Sequence, residues 1–240
     1  MPDDRQEPDD RPSRYVEEGV TIYRASALGS CPKVLVAIGM GMTPEPPPAW
    51  LLPKFDQGIA GEPVVKRMLE GMGWKVYADQ HLVQLRIGSR FMVRGHLDCL
   101  MTKGHVGEHG ERVGEIKCVS RAYRDEIVKV LPPLYHWQCA VYGRVLGLPV
   151  TLVLGVKDEA GNVEHVELID VDVAGPVAVK MRVYSIERHI ADGTWPACSY
   201  RQFPCPFPEL CDDPVPEATE DWELEERLAE SLVGIRHVRQ

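Results

Sequence analysis

Gly114-Glu115-Ile116-Lys117-Cys118-Val119-Ser120 is the stretch on which the reading of this chain turns. Read as a β-strand, it sends successive side chains to opposite faces, so Glu115 and Lys117 project together. Gly114, Ile116 and Cys118 make the other face apolar. Immediately upstream, Phe91–Thr102 also has strand composition and carries Gly95-His96-Leu97-Asp98, and the polar, glycine-rich KGHVGEHGER of residues 103–112 reads as a long hairpin loop between the two. An antiparallel pairing of these strands brings Asp98 beside Glu115. Two carboxylates converging on one point repel unless a cation lies between them, and hard oxygen ligands select Mg²⁺ or Mn²⁺. A neighbouring ammonium can orient the attacking water and offset charge developing on a phosphate. The rival reading is a surface hairpin with an ordinary Glu–Lys salt bridge, and a bare E-x-K favours that rival.

Two flanking features change the balance. Gly58-x-x-x-Glu62 falls on a helix expected over Phe55–Met72, from which Glu62 can deliver a third carboxylate. Gln138-x-x-x-Tyr142 falls on a helix expected over Leu134–Leu146, where the i, i+4 spacing sets both side chains on one face.

With GIAGE ending at Glu62, GHLD ending at Asp98, EIK at 115–117 and QCAVY at 138–142, the chain resembles the PD-(D/E)XK nucleases of the RecB-like and Cas4-like branch. The glutamate of the first motif resembles the YqaJ-type phage recombination exonucleases, where RecB and Cas4 proteins often carry His. The resemblance spans about Ser26 to Cys211. It implies that Asp98, Glu115 and the Ile116 carbonyl bind the divalent metal together with Glu62. It also implies that Lys117 is the catalytic lysine, and that Gln138 and Tyr142 support the site and the DNA strand.

Around this centre the pattern predicts a helix over Ser26–Gly39, strands at 75–77, 81–87, 91–102 and 113–120, a hairpin over 151–157 and 163–173, and a helix over 176–190. Helices, then strands, then helices make an α/β domain with a mixed central sheet flanked by helices. The expected division is a disordered acidic tail over 1–14, a nuclease domain over 15–211 and an acidic tail over 212–240. In the last, Trp222, Leu224, Leu228, Leu232 and Ile235 give an amphipathic helix for docking on this domain or on a protein partner.

The formal charge of −9 is misleading for a DNA-binding protein. Segments 1–11 and 212–240 hold 14 of the 36 acids and 5 of the 27 bases, leaving 22 of each between them. The body is neutral, so nucleic acid is not excluded. The acidic start and the lack of a long apolar run predict a cytoplasmic protein with no membrane contact.

Seven cysteines in a reducing compartment read as buried thiols or metal ligands. Cys198, Cys205 and Cys211 lie in CSYRQFPCPFPELC, a poor core element and a reasonable metal-binding loop. The resemblance supplies Cys31 as the fourth ligand of a [4Fe-4S] clasp, although the family spacing C-x2-C-x5-C is here C-x6-C-x5-C. Four thiolates serve zinc equally well. Cys99, Cys118 and Cys139 read as small buried thiols. His105 and His109 read as solvated loop residues.

The reading is therefore a metal-dependent DNA exonuclease that prefers single-stranded ends, acting on single-stranded or duplex ends in recombination, repair or phage replication. Alternatives are a Cas4-type nuclease that processes CRISPR spacer precursors and a non-catalytic DNA-binding or assembly subunit. A homo-oligomer is compatible with any of them. Arg94, Arg121, Tyr123, Arg124 and Trp137 are the side chains expected near a strand's phosphates or bases.

Overall fold

The computed structural model describes residues 12–107, 110–198 and 205–211. Its strands form two sheets rather than the single central sheet expected. One is four-stranded, with β1 (Arg14–Glu17), β2 (Val20–Arg24), β5 (Phe91–Leu97) and β4 (His81–Ile87) side by side in that order. The other is five-stranded, in the order β3 (Lys75–Tyr77), β6 (Cys99–Thr102), β7 (Arg112–Ser120), β8 (Val150–Lys157) and β9 (Val163–Val171). Both are mixed: β2 runs parallel to β5 and β7 parallel to β8, while the other pairs are antiparallel. The architecture is α/β, with five α-helices among the described residues: α1 (Pro32–Gly39), α2 (Leu52–Gly71), α3 (Arg121–Lys129), α4 (Pro133–Leu146) and α5 (Pro176–Asp192).

The strand expected over 91–102 is two strands, and the break falls at Asp98. There the chain leaves the four-stranded sheet and enters the five-stranded one. The helix expected over Ser26–Gly39 begins only at Pro32, because Ala25–Ala27 forms a tight 3₁₀ turn and Pro at the first helical position fixes the start. Arg14, placed by the sequence in the tail, opens β1. Its guanidinium is held by Glu187 of α5, which also accepts from the buried Tyr23 hydroxyl at 2.5 Å. The expected C-terminal amphipathic helix lies outside the described residues.

Packing places the site at a junction. A large core joins both sheets to α4 and α5 through Tyr23, Leu35, Val93, Leu97, Val141, Leu152, Leu154 and Val183. A second, under α2, holds Val65, Leu69, Cys99, Met101, Ile116 and Val153. Gly61 allows α2 this close approach, since a Cβ there would stand 2.5 Å from the Cys118 sulfur. No helix among the described residues is long and apolar enough to cross a membrane.

Candidate active site

The register of β6 on β7 pairs Cys99 with Gly114 and Leu100 with Val113. One step along, Asp98 stands across from Glu115, as the sequence predicts. The Asp98 Oδ2 accepts the Ile116 backbone N–H at 2.6 Å, so the carboxylate occupies a place in the ladder where a strand carbonyl would otherwise sit. Lys117 Nζ donates to Glu115 Oε1 at 2.5 Å. The Glu115 side chain is fully buried, whereas that of Lys117 is 24% exposed, so the lysine is the member of the pair nearer to solvent. The other carboxylate oxygen, Glu115 Oε2, is buried without a hydrogen-bond partner.

The electrostatics follow from this burial. Asp98 is pushed well above the usual carboxylate range by loss of solvent and then by the Glu115 charge, against the pull of Lys117 and the Ile116 N–H. Burial also raises Glu115, with Lys117 opposing. For Lys117 burial works toward neutrality, but the Glu115 and Asp98 charges outweigh it and the ammonium is held protonated. The three groups are thus two carboxylates that resist simultaneous ionisation and a cation that both of them stabilise.

Glu62 projects from α2 close enough for its charge to raise both Asp98 and Glu115. Its own carboxylate is engaged by Lys66 Nζ at 2.5 Å and Gln80 Nε2 at 3.1 Å, and Lys66 also bonds Asp79. Among the described residues no group of three or more His, Cys, Asp or Glu side chains is gathered as a metal-holding set. Asp98 and Glu115 therefore bring two carboxylates together, one of whose oxygens, Glu115 Oε2, is an acceptor without a hydrogen-bond partner, a donor set of the chemistry a divalent cation takes, while Glu62 is turned to Lys66 and Gln80.

Gln138 and Tyr142 lie beneath the site on α4. Both are buried; Gln138 Nε2 donates to the Tyr142 hydroxyl at 3.2 Å, and that hydroxyl donates to the His96 carbonyl at 2.8 Å. They brace the strand that delivers Asp98. Gly95 is required by this brace, because a Cβ there would meet the Tyr142 hydroxyl and the Ala25 Cβ at 2.7 Å. One further residue has no counterpart in the sequence reading: the Tyr135 ring, whose centroid lies 5.5 Å from Lys117 Nζ. Only the tertiary return of α4 over β7 brings it there.

The basic residues expected at the substrate are engaged within the protein. Arg94 bonds Glu17, Arg121 bonds Glu164, and Arg124 bonds Glu167 and Asp125. Trp137 packs beside Arg182.

Cys31 is buried at the start of α1, its sulfur 3.6 Å from that of Cys198. Cys198 and Cys205 border the same apolar cluster as Cys31, Val34 and Phe207. Cys211 ends the short 3₁₀ turn Pro208–Cys211. Cys99 and Cys139 are buried and Cys118 half-buried, as expected of small packed thiols.

No family model and no curated protein matches the chain. Among solved structures it is similar to one described as the crystal structure of SSO0001, with 16% identity and a TM-score of 0.49 over 83% of this chain and 89% of that one. A likeness at that level bears on neither the activity nor the site.

Proposed function

We propose that the chain is a divalent-metal-dependent nuclease with a PD-(D/E)XK core that hydrolyses phosphodiester bonds in DNA, working from ends. The observation that carries this reading is the Asp98–Glu115 pair: a half-buried carboxylate set beside a fully buried one, with Lys117 on one oxygen of Glu115 and the other Glu115 oxygen unpartnered. An ordinary salt bridge accounts for Glu115 and Lys117. It does not account for a second carboxylate brought against the first in burial, an arrangement that costs free energy unless a cation joins it.

In this reading Asp98, Glu115 and the Ile116 carbonyl hold Mg²⁺ or Mn²⁺, with Glu62 as a further acidic neighbour. When bound, the ion would supply a nucleophilic water at neutral pH and polarise a phosphoryl oxygen. Lys117 remains an ammonium because the two carboxylates favour its charged form. It donates hydrogen bonds to the attacking water or to a phosphate oxygen and so offsets charge as the P–O bond breaks. Gln138 and Tyr142 fix the Asp98 strand from below. The test is a digest of end-labelled single- and double-stranded DNA with Mg²⁺ or Mn²⁺. Cleavage in the presence of the ion is the expected result; cleavage that persists in saturating chelator refutes the metal reading.

We also propose that Cys31, Cys198, Cys205 and Cys211 form a clasp for a [4Fe-4S] cluster. The proximity of Cys31 and Cys198 and the shared cluster with Cys205 support it. Such a clasp ties the first helix to the end of the domain. Anaerobically purified protein should be brown, with the broad visible absorption of iron–thiolate chromophores. Colourless protein with stoichiometric zinc would assign the clasp to zinc instead.

A further inference from the structure

The helix that carries Glu62 is packed over only half its length. From Gly61 onward α2 buries Gly61, Val65 and Leu69 against the five-stranded sheet, whereas Leu52–Gln57, Ile59 and Ala60 are exposed. Pro63 lies inside the helix at the boundary and leaves the Ile59 carbonyl without its intrahelical donor. The first half therefore projects past the C-terminal ends of β7 and β8, with Gln57 leaning on the β8–β9 turn near Lys157 and Gly161.

The projecting half has an apolar side. Leu52, Phe55 and Ile59 are 49, 51 and 71% exposed, and Trp50, just before the helix, is 51% exposed. At 3.6 residues per turn, Leu52, Phe55, Ile59 and Glu62 fall within an arc of about 80°, opposite Gln57. The apolar stripe thus ends on Glu62, whose charge reaches Asp98 and Glu115. Lys54 Nζ sits 4.8 Å from the centre of the Trp50 ring, adding a cation to the flat face.

We infer that this overhang of α2 is a ledge on which the bases of an unpaired DNA strand stack as that strand enters the site. The inference rests on the nuclease reading, because the site fixes what passes along the stripe. A strand whose phosphate lies at Asp98 and Glu115 and that leaves the site past Glu62 runs beside the helix segment that leads to it. From Glu62 to Leu52 the helix rises about 15 Å, room for a few nucleotides at about 3.4 Å each. Leu52, Phe55 and Ile59 suit base faces, which stack on aromatic and apolar surfaces without regard to sequence. A duplex presents phosphates outward, and phosphates set against leucine and isoleucine would lose hydration with nothing in return. The ledge therefore selects an unpaired end.

The experiment uses the full chain in chelator, so that binding is read without cleavage. Fluorescein-labelled oligothymidylate and a blunt duplex of equal length are titrated against wild type, Trp50→Ala and Phe55→Ala/Ile59→Ser, with tryptophan emission followed in parallel. All three positions are exposed, and thermal melts of the variants verify that the fold is kept. Wild type should bind oligothymidylate more tightly than the duplex and lose tryptophan emission on binding. Each variant should bind the oligonucleotide roughly 5- to 100-fold more weakly, the range for removing one stacking side chain. Equal binding by wild type and variants overturns the ledge, as does a wild-type dimer in sedimentation that Phe55→Ala/Ile59→Ser converts to monomer. A parallel digest with Mg²⁺ separates the two readings. Cleavage by wild type with no binding defect in the variants rejects the ledge alone; stacking through Trp50 and Phe55 without cleavage keeps the ledge and rejects the nuclease.

Discussion

Lys117→Ala should reduce the single-turnover rate of DNA cleavage by roughly 10²- to 10³-fold, the loss seen when one donor to developing charge is removed from a preorganised site. The structure makes this ammonium hard to replace. It is the group through which the buried Glu115 carboxylate is neutralised, and its side chain is the more exposed member of the pair. The Tyr135 ring lies beside it, so its position is fixed from two sides. Substitution also leaves Glu115 buried without its cation. That carboxyl should take up a proton rather than remain charged, and the variant should melt at lower temperature at pH 8 than at pH 5 by a wider margin than wild type does. Rate and melt together are decisive. A variant that cleaves at the wild-type rate would return Glu115 and Lys117 to the status of an ordinary salt bridge.

The pairing of Asp98 with Glu115 was legible because it depends on two short-range rules, strand alternation in GEIKCVS and a hairpin closed by a polar, glycine-rich loop. The break at Asp98 was not legible. Phe91–Thr102 is continuously strand-like in composition, and only the division of the fold into two sheets interrupts it. The α3 helix escaped detection because Ile127 is its one buried residue and ion pairs from Arg121 and Arg124 to β9 hold it in place. Charge-held helices lack the apolar period by which helices are read. The β1–β2 hairpin did carry a signal: Val20 and Ile22 alternate with polar neighbours after Glu18-Gly19, where both residues take positive φ at the turn. Tyr135 beside Lys117 and Gln80 on Glu62 are tertiary facts with no local pattern behind them, whereas the Glu62–Lys66 pair is an i, i+4 contact of one helix.

Asp98→Asn should give a protein that is inactive and, without metal, more stable than wild type. Asparagine keeps an oxygen to accept the Ile116 N–H, so the ladder position survives. What it removes is a carboxylate raised by burial and by Glu115. The sign follows from proton linkage. A carboxyl whose folded pKa lies above its unfolded value binds its proton more tightly in the folded state, so it destabilises the fold as pH rises from the unfolded pKa through the folded one. Above that window the whole penalty is in force, and the Asp98→Asn variant escapes it. The melting temperature of the variant should therefore exceed that of wild type at pH 8, each kcal/mol amounting to about 2–4 °C for a domain of this size, and the two should converge in acid. Mg²⁺ or Mn²⁺ should reverse the ranking by stabilising wild type alone, with a larger increment at higher pH because the ligands must be deprotonated to bind. Cleavage should be lost in the variant at every pH. A structural carboxylate behaves oppositely, since its removal destabilises the fold and leaves no metal-dependent difference. A lower melting temperature for Asp98→Asn in chelator would therefore show that Asp98 serves the fold rather than a metal, and it would take the proposed mechanism with it.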